Sequence, residues 1–172
     1  MNKQSDKLKQ MTYTALMAVF IAICSQICVP AVVPFTLQTM AIFCTLDLLG
    51  GFHGTVSVLL YIGMGIVGLP VFHGVQGSIS VIAGTSGGFI IGFAVSSAIY
   101  ALLDGKIHKN ILWILWILID YVCGTLWYYA FYVPENGIVG SIIVCVVPFI
   151  IPDILKLLIA LEISKRLKRL IK

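Results

Sequence analysis

The sequence predicts an all-α integral membrane bundle of six transmembrane helices, on three observations. The 172 residues are 60% hydrophobic and 10% charged, against roughly 25% charged residues in a soluble domain, and mean hydropathy is +1.06. The apolar residues fall in six runs divided by Pro, Gly and charged breakers. The basic residues gather in alternate connections. At about 20 residues per span, six spans fill the chain as a single transmembrane domain. No room is left for a soluble catalytic or nucleotide-hydrolysing domain.

Span 1 is expected over about 11–29, after the polar, basic MNKQSDKLKQ. No small-residue cleavage site follows it, so it reads as a retained helix. Pro30 and Pro34 force an irregular segment, PAVVPFTLQT, because proline lacks an N–H and restricts the residue before it. Span 2 is placed at about 37–49, and Gly50, Gly51 and Gly54 make the turn to span 3, about 55–67. A Gly-rich stretch runs from Val71 to Thr85. Span 4 covers about 86–103 and ends at the polar loop DGKIHKN. Span 5 covers about 111–132, with Pro134, Asn136 and Gly137 as the next turn. Span 6 covers about 138–163, followed by the basic tail SKRLKRLIK.

Lys and Arg orient the bundle. Lys3, Lys7 and Lys9, then Lys106 and Lys109, then Lys165, Arg166, Lys168, Arg169 and Lys172 share one side of a six-span chain. The connections 30–39, 70–85 and 133–137 hold no Lys or Arg. Both termini are therefore expected in the cytoplasm. The net charge of +4 follows from this bias and calls for no nucleic-acid partner.

Ionisable residues within a membrane are expensive, about 2.5–3.5 kcal/mol each on insertion scales. Asp47, Asp120, Asp153 and Lys156 qualify. Asp153 and Lys156 are three apart and share a helix face, just after Pro148 and Pro152, which loosen the helix. Two readings stand: an internal ion pair that neutralises itself, or a recognition pair that accepts N–H bonds and donates to an oxygen. Asp47 and Asp120 have no basic residue three or four positions away, and a structural, hydrogen-bonded role is expected for each.

The outer irregular segments are the second feature, since irregular backbone at membrane depth is buried in protein or lines a cavity. PFTLQT offers Phe35, Thr36, Gln38 and Thr39. The later loop interleaves Gly74, Gly77, Gly84, Gly87 and Gly88 with His73, Gln76, Ser78, Thr85 and Ser86. These glycines suit either close backbone approach to a ligand or tight helix packing. GTSGG lacks the Lys of a phosphate-binding loop, and no GxSxG or HExxH occurs. His53, His73 and His108 are dispersed, so no metal site is expected. Cys24, Cys28, Cys44, Cys123 and Cys145 sit singly in apolar runs and read as packing residues. Ala15, Ala18 and Ala22 form a small-residue stripe on span 1, which lets another helix approach closely, from this chain or a partner.

Five stretches, VPFTLQT (33–39), SVLLYIGMGIVGLPVF (57–72), GTSGGFIIGF (84–93), YVCGTLW (121–127) and PFIIPDILKLLIA (148–160), resemble the BioY family, the biotin-binding S components of energy-coupling factor (ECF) vitamin transporters. They span nearly the whole chain in order. The resemblance implies a six-helix cell-membrane protein that binds biotin near its outer face, is not an enzyme, needs no cofactor, and docks on a transmembrane coupling protein with a pair of ATPases. It places the family's PFTxQ loop on Pro34 to Gln38, the family's Asp and Lys on Asp153 and Lys156, and partner docking at Ala18 and Ala22; with the Gly-rich loop, the expected substrate contacts are Phe35, Thr36, Gln38, Gln76, Gly87, Gly88, Asp153 and Lys156. Asp47 and Asp120 stand where aliphatic residues are expected, and Phe89 replaces a frequent Tyr. Chemically, the ureido ring of biotin presents two N–H donors to Asp153 and a carbonyl to Lys156, and Phe35 covers the thioether ring. The carboxylate tail projects toward water near His73 or glycine N–H groups. A stand-alone, proton-coupled secondary transporter using Asp47, Asp120 or Asp153 is the alternative. A membrane enzyme is disfavoured, because no nucleophile–base or metal constellation appears.

Overall fold

The computed structural model describes residues 3–132 and 137–171. The turn assigned to Pro134 and Asn136 lies outside them, as does Lys172. The elements, in chain order, are α1 (Lys3–Gln26), β1 (Cys28–Val29), β2 (Phe35–Thr36), α2 (Gln38–Ile66), α3 (Ile79–Ile82), α4 (Gly87–Leu103), α5 (Lys109–Tyr132), α6 (Gly137–Cys145) and α7 (Ile150–Ile171). The segment between Pro30 and Pro34 is the loop of a minimal antiparallel ladder, with Cys28 opposite Thr36 and Val29 opposite Phe35.

Expected spans 2 and 3 are the two arms of α2. Gly50 takes φ +76° and ψ 172°, a conformation open to glycine, and the chain folds back on itself there. A Cβ on Gly54 would fall 2.9 Å from the Leu46 Cα, whereas residues eight apart in a straight helix are separated by about 12 Å. The expected turn over 50–54 is thus a reversal at one residue, with helix resuming at Gly51. Asp104 Oδ2 accepts from the freed Gly51 N–H at 2.7 Å, as a capping carboxylate does.

Expected span 6 is two helices, not one. Pro148 cannot donate, so the ladder breaks over 146–149. Pro152 is tolerated because it lies in the first turn of α7, where N–H groups have no intrahelical partner. The basic tail is the continuation of α7 and not a separate segment. Span 1 starts earlier and ends sooner than expected, at Lys3 and Gln26.

The first arm of α2 runs parallel to α7. Thr39 bonds Asp153, Cys44 bonds the Ala160 carbonyl, and Asp47 meets Lys168 at 2.6 Å. This pairing defines two ends. One carries the β1–β2 hairpin, the loop 67–86 and the start of α7. The other carries Lys109, Lys168 and Asp47, with Asp47 joining both cations. Asp47 is therefore not an isolated acid within the membrane but a tie between α2, α5 and α7 at the basic end.

Between the ends, Phe43, Phe93, Tyr100, Trp113 and Trp116 form an aromatic core. Trp116 donates to Ser97 and Ser57 to the Thr14 carbonyl, while the buried hydroxyls of Tyr61 and Tyr100 have no partner among the described residues. Apolar side chains such as Ile23, Leu118, Val122 and Leu158 point outward, as lipid-facing residues do.

Ala18 and Ala22 are 1% and 9% exposed. Within this chain both pack where α1 lies against α2; the docking role expected of them concerns an assembly with a partner. The outward side of α1 beside them exposes Ala15, Leu16, Val19 and Ile23.

Candidate functional site

The hairpin end holds a cavity lined by Val33, Pro34, Thr36, Gln38, Thr39, His73, Ser86, Phe89, Ile90, Phe93, Asp120, Phe149, Asp153 and Lys156. It is narrow, with about 500 Å³ of empty space including its open mouth. Its polar centre is the pair on α7. Lys156 Nζ lies 3.0 Å from Asp153 Oδ1, and both side chains are 7% exposed. Asp153 Oδ1 also accepts from Thr39 Oγ1 at 3.3 Å. Its Oδ2 accepts from Tyr121 at 2.9 Å.

The helix break explains why a carboxylate is stable there. Asp153 falls in the first turn of α7, where the positive end of the helix dipole favours an anion. The Lys156 ammonium sits 4.0 Å from the centre of the Phe35 ring, a cation–π contact that gains strength when desolvated. Phe35 in turn stacks on Phe149, 5.4 Å between centroids, and Phe149 meets Phe89 at 6.2 Å. The site thus joins a hydrogen-bonding carboxylate and an ammonium to an apolar, aromatic wall, the usual make-up of a small-molecule site.

Two buried polar atoms on this cavity, Gln38 Nε2 and Asp120 Oδ1, have no hydrogen-bond partner among the described residues. Buried polar groups are nearly always paired, and these two stand unpaired on the cavity wall. His73 is half-buried on the loop 67–86. Burial holds its imidazole below the ordinary 6.5, so at neutral pH it offers a neutral N–H and not a cation.

Of the residues anticipated as substrate contacts, Phe35, Thr36, Gln38, Asp153 and Lys156 come together here. Gln76, Gly87 and Gly88 do not. The Gln76 side chain is exposed, because its backbone is committed to a bridge with Phe72. A Cβ on Gly87 would fall 1.6 Å from the Ile82 carbonyl oxygen, and one on Gly88 would fall 2.3 Å from the Trp127 Cβ. Those glycines serve close packing of α4 on α3 and α5. Thr39, Tyr121 and Phe149 complete the site without having been assigned a contact by the sequence. Tyr121 and Phe149 lie inside the resembling stretches YVCGTLW and PFIIPD, and that was their only signal. Among the described residues no cluster of His, Cys, Asp and Glu could hold a metal ion.

The whole chain, residues 1–172, matches the family model described as "BioY family". It is 34% identical to a probable biotin transporter BioY of Pyrococcus horikoshii over 94% of this chain and 98% of that one. It is 33% identical to the biotin transporter BioY of Thermotoga maritima over 95% and 98%. The fold is similar to the crystal structure of an S-component for biotin from an ECF-type ABC transporter, with a TM-score of 0.81, 27% identity, and coverage of 98% and 95%. With the family model matched from end to end, this six-span chain belongs to the BioY family.

Proposed function

We propose that this chain is the biotin-binding S component of an ECF-type uptake transporter, with no catalytic activity and no cofactor of its own. The observation that carries the reading is the Asp153–Lys156 pair, held at the start of α7 against Phe35 in a cavity with two unpartnered polar atoms. The two ureido N–H groups of biotin need acceptors and its carbonyl needs a donor. Asp153 and Lys156 present both within one helical turn. Phe35, Phe89 and Phe149 supply apolar surface for the fused thioether ring. The valeryl carboxylate extends toward the mouth, where Ser86 and neutral His73 offer hydrogen bonds.

Transport in this reading needs a transmembrane coupling protein and a pair of ATPases, since the chain has no nucleotide-binding motif. The basic end faces the cytoplasm by the positive-inside rule and the cavity faces outside. A single cysteine at Val75, 71% exposed on the loop 67–86, is expected to react with an impermeant thiol reagent from outside. One at Lys106 is expected to react only from the cytoplasm. Native cysteines are replaced beforehand, and labelling of both from one side would defeat the orientation.

Calorimetric titration of the detergent-purified protein tests the ligand. Saturable one-to-one heat is expected with biotin and none with a vitamin that lacks a cyclic urea, such as thiamine. Equal heats, or no heat with millimolar biotin, would sink the assignment. In liposomes without the ATPases, an imposed proton gradient is expected to accumulate no biotin; accumulation would favour the proton-coupled alternative.

A further inference from the structure

Asp120 has no structural partner that explains it. It is 2% exposed on α5 and lines the same cavity as Asp153 and Lys156, yet its Oδ1 meets no donor among the described residues. Lys156 is engaged with Asp153, and the adjacent Tyr121 hydroxyl points to Asp153 instead. The facing helix α4 makes room for the carboxyl and gives it nothing: a Cβ on Gly92 would fall 2.3 Å from Asp120 Oδ1. A buried carboxyl without a partner is destabilising by kilocalories. Unlike the unpartnered buried hydroxyls of Tyr61, Tyr100, Thr125 and Ser164, it lines the cavity, where a ligand can bring a donor to it.

We infer that Asp120 is the second acceptor for the ureido edge of the ligand, completing with Asp153 and Lys156 an acceptor–donor–acceptor set. A cyclic urea displays donor, acceptor, donor along one edge. Asp153 takes one N–H, Lys156 donates to the carbonyl, and Asp120 on the neighbouring helix takes the other N–H. A carboxyl keeps an acceptor oxygen whether or not it is protonated, so the assignment holds in either state. It replaces the purely structural role expected from sequence, and it makes Asp120 a specificity residue of this chain for ligands with two N–H groups flanking a carbonyl. The inference rests on the biotin reading above.

The test pairs protein variants with ligand variants. Asp120→Leu removes the acceptor and also a buried polar group, so the protein is expected to melt no lower than the parent; Asp120→Ala repeats the measurement at smaller volume. Calorimetry uses biotin and its two derivatives methylated at one or the other ureido nitrogen. The parent is expected to bind biotin and to lose about 10- to 100-fold on either methylation. Asp120→Leu is expected to lose a similar factor for biotin. Methylation of one nitrogen then changes its affinity less than about 3-fold, while methylation of the other still has its full effect. Parent-like biotin binding by both variants, or full additivity with both methylated ligands, overturns the inference while leaving the biotin reading intact. A parent that does not bind biotin takes both down.

Discussion

Lys156→Met is expected to weaken biotin binding by about 10- to 150-fold, the equivalent of losing one charge-assisted hydrogen bond of about 1.5–3 kcal/mol. Alone, this result would be ambiguous, because removing the ammonium also strips a buried carboxylate of its counter-charge. The surroundings limit that damage. Asp153 keeps Tyr121 and Thr39 as donors and the first turn of α7 as a source of positive potential. The lost contact with Phe35 is replaced by a thioether against an aromatic ring, itself a favourable neighbour. Asp153→Asn keeps the size and one acceptor oxygen, and a similar loss of affinity is expected. The double variant buries no charge at the pair. It should melt no lower than Lys156→Met and still bind poorly. Near-native affinity in the double variant, measured by calorimetry, would mean that the pair only neutralises itself and that biotin is recognised elsewhere.

The parts of this structure that the sequence disclosed are those set by local spacing. Asp153 and Lys156 fall on one face by their three-residue separation, and the prolines before them mark a weakness in the helix. The full break over 146–149 was not legible, because a proline in an apolar run marks a weakness without deciding between a bend and a stop. The reversal at Gly50 was equally hidden. Three glycines announced a turn, but only the backbone shows that one residue makes it and that Asp104, far along the chain, caps the restart. The identities that complete the site come from elements distant in sequence: Thr39 from the start of α2 and Tyr121 from the middle of α5. The structural role expected of Asp47 holds, but its partners were hidden for the same reason. Its partners Lys109 and Lys168 are 62 and 121 positions away, and no periodicity reports such a pairing. Asp120 was recognisable as an expensive residue in an apolar run. That it borders the ligand cavity and lacks a partner is a statement about α4 and α7, which the α5 sequence does not contain.

Ala18→Leu is expected to lower the melting midpoint of the ligand-free protein by about 2–12 °C, corresponding to about 1–3 kcal/mol of overpacking. The spacing of Ala15, Ala18 and Ala22 showed that α1 carries a small-residue stripe, and within the chain α2 packs against α1. Ala18 lies among Thr14, Ile21 and Ser25, all 5% exposed or less, and the Ser57 hydroxyl reaches the Thr14 carbonyl across the same interface. Three added carbons there must displace backbone or force a strained rotamer. Biotin binding should fall with the folded fraction, and uptake by an assembled transporter should fall in parallel. Val19→Trp and Ile23→Trp, on the outward strip at 48% and 60% exposure, should leave both the melt and biotin binding unchanged. If uptake drops for these outward variants alone, the strip they occupy is where a partner helix approaches. If Ala18→Leu instead melts and binds like the parent but fails in uptake, Ala18 meets the partner directly, and the packing of α1 on α2 does not restrict that position.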